Sequence, residues 1–340
     1  MKRIVICFDG TWNKPADENL SVDQQIETNV RRFYEAVLPT GADGVQQIPW
    51  YDQGVGSHWY DKYTGGLVGA GLEFNILQGY NFLAETYADG DEIYILGFSR
   101  GAYTARSLVG MIRNCGLIKP DLLKMNLAAA YWLYRTRGDG PDSMAAKMFR
   151  RAFAREVPVK FLGVWDTVGA LGLPLHLLQQ FNLHFYEFHD TKLSRIVEHA
   201  YHAIAVDEHR KDYDVCLWNP SEHPQQTLEQ RWFPGAHTNV GGGNQDRHLS
   251  DLALHWIGEK AAAVGLGLKP FEGDQLDCLG PISDSYADFL RGEYAKRNPR
   301  YFRTIGATAF GNEVIDPSVQ QRMRDHANYR PTNPGLSASA

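Results

Sequence analysis

The sequence contains few cysteines, and their spacing matches no common cysteine-dependent structure. The four residues, Cys7, Cys115, Cys216 and Cys278, form no C-x-x-C pair and no cysteine–histidine set of the kind that binds structural zinc. A disulfide framework is not predicted either, which is typical of proteins in a reducing compartment. We therefore expect a cytoplasmic protein whose sequence demands no metal and no other cofactor.

Long apolar runs are also absent at the start of the chain. The first run, residues 4–8, is only five residues long and ends at Asp9. Such a run is too short for the apolar core of a signal peptide or for a membrane span. The expectation is that any export would use a route independent of a signal peptide.

There is no excess of positive charge that would indicate a nucleic-acid partner. The formal net charge is −6, and the hydrophobic fraction of 44% and charged fraction of 22% are typical of a globular protein. The length allows one large core, so we predict a single domain over 1–340 with a flexible Ser/Ala-rich tail at 335–340. The oligomeric state is not predicted.

Short β-branched apolar runs alternate with segments of helical periodicity, which favours an α/β fold with a mostly parallel sheet flanked by helices. The predicted strands are residues 4–8, 92–97, 157–165 and 230–233, and the predicted helices are residues 29–37, 74–87, 102–114 and 251–263. Two aromatic-rich stretches, 119–156 and 171–228, interrupt the alternation. We expect them to be helical cap insertions over the edge of the sheet, where sites form in such folds.

The segment Gly97-Phe98-Ser99-Arg100-Gly101 has the form of a nucleophile elbow. It follows a predicted strand and directly precedes a predicted helix, which is the context that G-x-S-x-G requires. Glycines two positions from the serine let the strand and helix approach closely. The pattern therefore predicts Ser99 as a nucleophile, with a structural turn as the alternative.

A serine nucleophile needs a base and an acid, and α/β-hydrolases supply them in the order serine, acid, histidine. Asp166 follows the strand at 157–165, although an Asx turn or a helix N-cap would also explain an aspartate there. His237 lies on a glycine-flanked loop after the strand at 230–233, where a buried structural histidine is the alternative. The order predicts a triad of Ser99, Asp166 and His237.

An oxyanion hole needs two backbone N–H donors. Arg100 follows the nucleophile and is predicted to provide the first donor. The loop after the strand at 4–8 is predicted to provide the second, from Gly10 or Thr11, with Asp9 orienting the loop through side-chain hydrogen bonds. This assignment requires the N-terminal strand to lie beside the nucleophile strand.

Four other interpretations concern these and neighbouring segments. Phe8-Asp9-Gly10-Thr11 resembles the start of haloacid-dehalogenase-like phosphatases, but Cys7 stands where their nucleophilic aspartate is required. Asp9, Asp52, Asp166 and His237 could converge as ligands of a metal-dependent phosphoesterase, although their spacing does not demand a metal. The glycine-rich stretch 65–71 lacks the lysine of a P-loop. A non-catalytic, partner-binding module also remains open.

Several motifs in register resemble one family. They are Cys7-Phe-Asp-Gly-Thr-Trp-Asn13, Tyr51-Asp-Gln-Gly-Val-Gly56, Gly97-Phe-Ser-Arg-Gly-Ala-Tyr-Thr-Ala-Arg106, Gly163-Val-Trp-Asp-Thr-Val-Gly169 and residues 232–243, with 207–210 and 316–322 as further similar segments. The sequence looks similar, from residue 4 to about 330, to the uncharacterised α/β-hydrolase family that includes bacterial type VI secretion phospholipase effectors.

This resemblance implies a serine esterase or lipase that acts on acyl esters, including phospholipids, with Ser99, Asp166 and His237 as the matching triad. The expected partners are an ester or lipid substrate and, transiently, a membrane surface. We expect one departure from the effector pattern, namely the lack of a long membrane-binding extension after the hydrolase segments. Secretion and toxicity therefore do not follow from the resemblance.

Overall fold

Within the described residues, a parallel sheet of seven strands forms the centre of the fold. The computed structural model describes residues 1–10, 26–53, 68–136, 138, 140–168, 192–221, 223–271, 273, 275–308 and 312–336, with 68–72 described by backbone alone. Each neighbouring pair in the order β2-β1-β3-β6-β7-β8-β9 is parallel. The strands are β1 (Arg3–Phe8), β2 (Gln47–Asp52), β3 (Glu92–Phe98), β6 (Val159–Trp165), β7 (Val197–Ala205), β8 (Thr227–Phe233) and β9 (Glu313–Ile315). This is the predicted α/β-hydrolase-like architecture.

Helices cover both faces of this sheet. They are α1 (Asn29–Ala36), α2 (Val68–Thr86), α3 (Arg100–Cys115), α4 (Pro120–Arg135), α5 (Met144–Phe153), α6 (His237–Gly241), α7 (His248–Ala263), α8 (Ser285–Asp288), α9 (Glu293–Arg297) and α10 (Pro317–Asp325). A separate antiparallel pair, β4 (Leu117–Ile118) and β5 (Ala154–Arg155), closes the α4–α5 segment. In the part of the chain that the structure describes, no helix is both long and apolar enough to span a bilayer.

Strand β1 illustrates how the sequence produces this layered core. Every residue of β1 is buried, as expected for a parallel strand with helices on both faces. Ile4, Ile6 and Phe8 pack into the cluster that contains α2 and α3, whereas Val5 and Cys7 pack into the cluster that contains α1 and α7. Side chains alternate across the sheet because the strand period is two residues.

The predicted neighbour of the nucleophile strand is confirmed. Strands β1 and β3 pair in parallel, with Phe8 opposite Gly97, so the loops that follow them leave the sheet side by side. Strand β6 pairs with β3 on its other side, with Trp165 opposite Phe98. The segments that carry Asp9, Ser99 and Asp166 therefore meet at one edge of the sheet.

The predicted insertion at 171–228 differs from the structure. Strand β7 lies inside that range and pairs with both β6 and β8, so this part of the range belongs to the centre of the sheet. Its sequence, Val197-Glu-His-Ala-Tyr-His-Ala-Ile-Ala205, has few β-branched residues, which is why its pattern did not indicate a strand. Residues 169–191 and 337–340, which include parts of this range and of the predicted tail, lie outside the described residues.

Candidate active site

Ser99 occupies a sharp turn between β3 and α3. Its φ of 58° and ψ of −121° are unfavourable for a residue with a side chain. A Cβ atom at Gly97 would overlap the carbonyl oxygen of Gly101, and one at Gly101 would overlap the carbonyl oxygen of Phe8. The two glycines of the motif are therefore required by close backbone contacts, which leave the serine at the tip of the turn.

His237 connects the serine to the acid that the sequence order predicted. Its Nε2 lies 2.8 Å from Ser99 Oγ, and its Nδ1 lies 2.6 Å from Asp166 Oδ2. In the tautomer that suits both contacts, Nδ1–H donates to the carboxylate and Nε2 accepts from the hydroxyl. The structure thus brings the three predicted residues into one hydrogen-bonded chain.

Two aromatic rings hold the imidazole of His237. The ring of Phe98 lies 4.7 Å from it, and the ring of Tyr213 meets it edge-on at 5.3 Å between centroids. A Cβ atom at Gly241 would overlap the Phe98 ring, so this glycine allows α6 to approach β3. Only 5% of His237 is exposed, which restricts the imidazole to the orientation that its partners require.

Asp166 is fully buried and is held by more than the histidine. Arg303 donates from Nη1 to Asp166 Oδ1 at 2.6 Å and from Nη2 to Oδ2 at 3.0 Å. The backbone N–H of Ala205 also donates to Oδ1, at 3.0 Å. Burial by itself would raise the pKa of Asp166, but the charge of Arg303 and the hydrogen bonds from His237 and Arg303 hold this pKa well below its usual range. Asp166 is therefore ionised at neutral pH.

Sequence reasoning missed Arg303. This arginine is completely buried, and besides Asp166 it donates to the carbonyl of Ala205 at 2.9 Å. It lies 137 positions after Asp166, in a segment without regular secondary structure. Its local sequence, Tyr301-Phe-Arg-Thr304, carries no signal that distinguishes it from an ordinary exposed arginine.

A second buried ion pair lies behind His237. The carboxylate of Glu208 accepts from Arg210 Nε and Nη2 at 2.9 and 2.8 Å and from Ser285 Oγ at 2.9 Å. Burial would raise the pKa of Glu208, but the hydrogen bonds and charge of Arg210 lower it to about 2. The Arg210 guanidinium stacks on the Tyr213 ring at 3.5 Å, which supports the ring that touches the histidine.

Two of the predicted oxyanion residues, Arg100 and Gly10, lie beside Ser99, and the backbone N–H of Gly10 already has a partner. Arg100 is the first residue of α3, where a backbone N–H has no partner within the helix. Gly10 is also adjacent, since a Cβ atom there would lie 3.5 Å from Ser99 Cβ, but its N–H donates to Asp9 Oδ1 at 2.6 Å. Thr11 lies outside the described residues.

Asp9 forms side-chain hydrogen bonds that tie its loop to neighbouring elements. Its Oδ2 accepts from Thr28 Oγ1 at 2.7 Å and from Tyr51 Oη at 2.5 Å, and its Oδ1 accepts from Gly10. Thr28 is the N-cap of α1, and Tyr51 lies on β2. These contacts are of the kind expected for a residue that orients the loop.

The candidate metal ligands are distributed among different partners. Asp52 accepts from Asn75 Nδ2 at 2.9 Å, whereas Asp9 accepts from Thr28 and Tyr51. Asp166 accepts from His237 and Arg303. Among the described residues, histidine, cysteine, aspartate and glutamate nowhere form a group of three or more that could hold a metal ion. Cys7, at the position of the phosphatase nucleophile, is buried in the core, and burial raises the pKa of its thiol.

Comparison with known proteins identifies the family. A model described as "T6SS, Phospholipase effector Tle1-like, catalytic domain" matches residues 2–260. The chain is similar to "Uncharacterized protein YEL023C" of Saccharomyces cerevisiae, with 31% identity over 242 residues, 64% of this chain and 33% of that protein. Arg303 lies beyond the matched residues of the family model.

Two solved structures are similar at low sequence identity. An uncharacterised protein from Pseudomonas aeruginosa shares 18% identity with a TM-score of 0.49, covering 79% of this chain and 46% of that one. The Tle1 effector bound to the VgrG spike shares 19% identity with a TM-score of 0.42, covering 71% and 51%.

The chain spans about a third of the yeast protein and about half of each solved chain. The match to the family model nevertheless covers well over half of the present chain. The chain therefore belongs to the Tle1-like phospholipase effector family of type VI secretion, through the catalytic domain of that family.

Proposed function

We propose that the protein is a serine hydrolase that cleaves carboxylic esters of lipids or phospholipids. The observation that carries this proposal is the hydrogen-bonded chain from Ser99 through His237 to Asp166, with the serine on a strained turn after a buried strand. Membership of a phospholipase effector family supports a lipid ester as the substrate. The cytoplasmic location and the export route stay predictions.

The proposed reaction is acyl transfer in two steps. His237 Nε2 takes the Ser99 proton as Oγ bonds to the ester carbonyl carbon, and the imidazolium then gives that proton to the departing alkoxide oxygen. Water, deprotonated by the same nitrogen, attacks the acyl-enzyme, and Ser99 Oγ recovers its proton as the fatty acid leaves. The ionised Asp166 stabilises the imidazolium in both steps.

The backbone N–H of Arg100 is the proposed first donor to the oxyanion. It lies at the start of α3, where the helix dipole also favours negative charge. The second donor is proposed from the loop after β1. If Gly10 serves, its N–H must turn from the Asp9 carboxylate to the oxyanion when substrate binds.

Transient contact with a lipid surface has support from an exposed strip on α4 and α5. Large apolar side chains protrude there beside exposed basic ones: Met125, Trp132, Met144 and Met148, with Lys124, Lys147 and Arg151. Apolar side chains that enter the bilayer and cations that meet anionic headgroups bind such a surface together.

The test combines active-site labelling with a substrate panel. A fluorophosphonate probe is expected to label the wild type and not Ser99→Ala, with Ser107→Ala on the same helix as a matched control that keeps labelling. The panel contains p-nitrophenyl esters of increasing chain length and a phospholipid as monomers and as vesicles, each with and without EDTA. We expect ester cleavage that resists EDTA and is faster on vesicles.

Other outcomes would support the competing functions. An unlabelled wild type that cleaves only phosphate esters, and loses this activity in EDTA, would indicate a metal-dependent phosphoesterase. A folded wild type with no activity on the panel, and with a cellular phenotype unaltered in Ser99→Ala, would indicate a partner-binding module.

A further inference from the structure

Arg100 is a buried arginine that has no bonding partner among the residues that the structure describes. Only 7% of the residue is exposed. Within the described residues its guanidinium makes neither a hydrogen bond nor an ion pair. Arginines are rarely buried to this degree unless they are paired, because the charge loses its hydration.

The position of Arg100 links this unpaired charge to the reaction site. The residue directly follows Ser99 and is the first residue of α3, and the Ser99 hydroxyl contacts the imidazole of His237. Burial lowers the pKa of Arg100 to about 10, so the group still carries its charge at neutral pH. The residue next to the proposed nucleophile therefore carries a permanent positive charge.

The N-terminus of α3 adds positive potential at the same place. This helix is 16 residues long, and its first turn contains no acidic residue that would offset the helix dipole. The side chain of its N-cap residue, Ser99, makes no capping hydrogen bond and faces His237 instead. The site thus combines a guanidinium and a helix N-terminus, two features that bind phosphate.

We propose that Arg100 and the N-terminus of α3 form a subsite for the phosphate of a glycerophospholipid whose ester is cleaved at Ser99. This assignment rests on the proposed function and names the feature of the substrate that would be recognised. In a glycerophospholipid one glycerol carries both the phosphate and the acyl esters. A subsite beside the nucleophile can therefore bind the phosphate while one of the acyl esters reacts. The planar guanidinium can donate two parallel hydrogen bonds to phosphate oxygens.

The experiment compares two substrates with the same acyl chains. Values of kcat/KM are measured for dihexanoyl phosphatidylglycerol and for neutral dihexanoylglycerol. We expect the wild type to prefer the phosphate-bearing ester, and Arg100→Gln to lower the ratio of the two kcat/KM values about tenfold or more, mainly through KM. Arg100→Lys should retain part of the preference. Arg113→Gln, near the far end of α3, is the matched control and should keep the wild-type ratio.

The possible failures are distinguishable. Equal kcat/KM values for the two substrates in the wild type, or an unchanged ratio in a folded Arg100→Gln that still reacts with fluorophosphonate, would overturn the phosphate subsite and leave the serine hydrolase intact. An unlabelled wild type would instead overturn the hydrolase itself. If Arg100→Gln does not fold, the ratio of the two kcat/KM values in the wild type tests the phosphate subsite.

Inorganic phosphate, added to the wild type during fluorophosphonate labelling, distinguishes a lipid headgroup from a free anion. Slower labelling in phosphate together with a preference for the phosphate-bearing ester supports the headgroup. Slower labelling without that preference would show that the subsite takes only the free ion, which would overturn the assignment.

Discussion

Two buried arginines contribute opposite features to the same site. Arg303 is fully enclosed and donates to the Asp166 carboxylate and to a backbone carbonyl, whereas Arg100 is almost as deeply buried and has no bonding partner among the described residues. The first charge is balanced within the protein and holds an acid in place. The second is balanced by nothing that the structure describes, which is why it is the better candidate for contact with an anionic substrate.

The largest effect is expected from breaking the balanced pair. Arg303→Met should leave the buried Asp166 carboxylate with only neutral partners, His237 and the Ala205 N–H, and we expect it to lower the free energy of unfolding by about 3–5 kcal/mol. Urea denaturation at pH 7.5 measures this change, and fluorophosphonate labelling reports the loss of histidine positioning. Arg297→Met, at an exposed arginine, is the control.

The double variant Asp166→Asn/Arg303→Met tests the cause of that loss. Because it removes both charges, we expect it to regain much of the stability while labelling stays low. A double variant as unstable as Arg303→Met would mean that packing of the arginine, and not its charge, supports the fold.

An effect of intermediate size is expected on the pH dependence of stability. It comes from His202, which lies on β7 behind Asp166. Its Nε2 accepts from the Thr167 N–H at 3.0 Å, and burial together with the charge of Arg106 lowers the pKa of His202 to about 3. In the unfolded chain this pKa is about 6.5. Between these values the unfolded state binds the extra proton, so stability falls as the pH falls.

His202→Gln removes this titration. From pH 7.5 to pH 5 the wild type should lose about 2 kcal/mol more unfolding free energy than the variant, as measured by urea denaturation at both pH values. Asp166 and Glu208 titrate below this range, since the pKa of each is held below its usual value. His223→Gln, at an exposed histidine, should match the wild type. If the unfolding free energy of His202→Gln changed with pH as much as that of the wild type, His202 would not be the group responsible.

The smallest effect is expected from the unpaired arginine. Arg100→Met replaces a buried, uncompensated charge with an apolar side chain of similar length, so the free energy of unfolding should stay within about 1 kcal/mol of the wild type or rise. Denaturation beside Arg303→Met measures the contrast directly. A loss comparable to that of Arg303→Met would show that Arg100 has a structural partner, and the contrast between the two arginines would disappear.

Much of the site could be predicted because its signals are local. The backbone contacts around Ser99 require glycine at two positions, so five consecutive residues are enough to indicate the elbow. Asp166 and His237 each follow an apolar strand, and parallel strands bring their carboxyl ends to one edge. The hydrogen bond from the Gly10 N–H to the Asp9 carboxylate could not be predicted, because it depends on the conformation of the Asp9 side chain.

The sequence by itself determined the alternation of strands and helices, the strained elbow at Ser99 and the order of serine, acid and histidine, because backbone sterics and hydrophobic periodicity act over short distances. Only the tertiary structure decided that β7 belongs to the centre of the sheet, that Arg303 holds Asp166, and that Arg100 is buried with no partner in the described part of the chain. These features depend on contacts between residues far apart in the chain. The sequence shows that an arginine carries a charge, but only the fold determines which groups contact that charge.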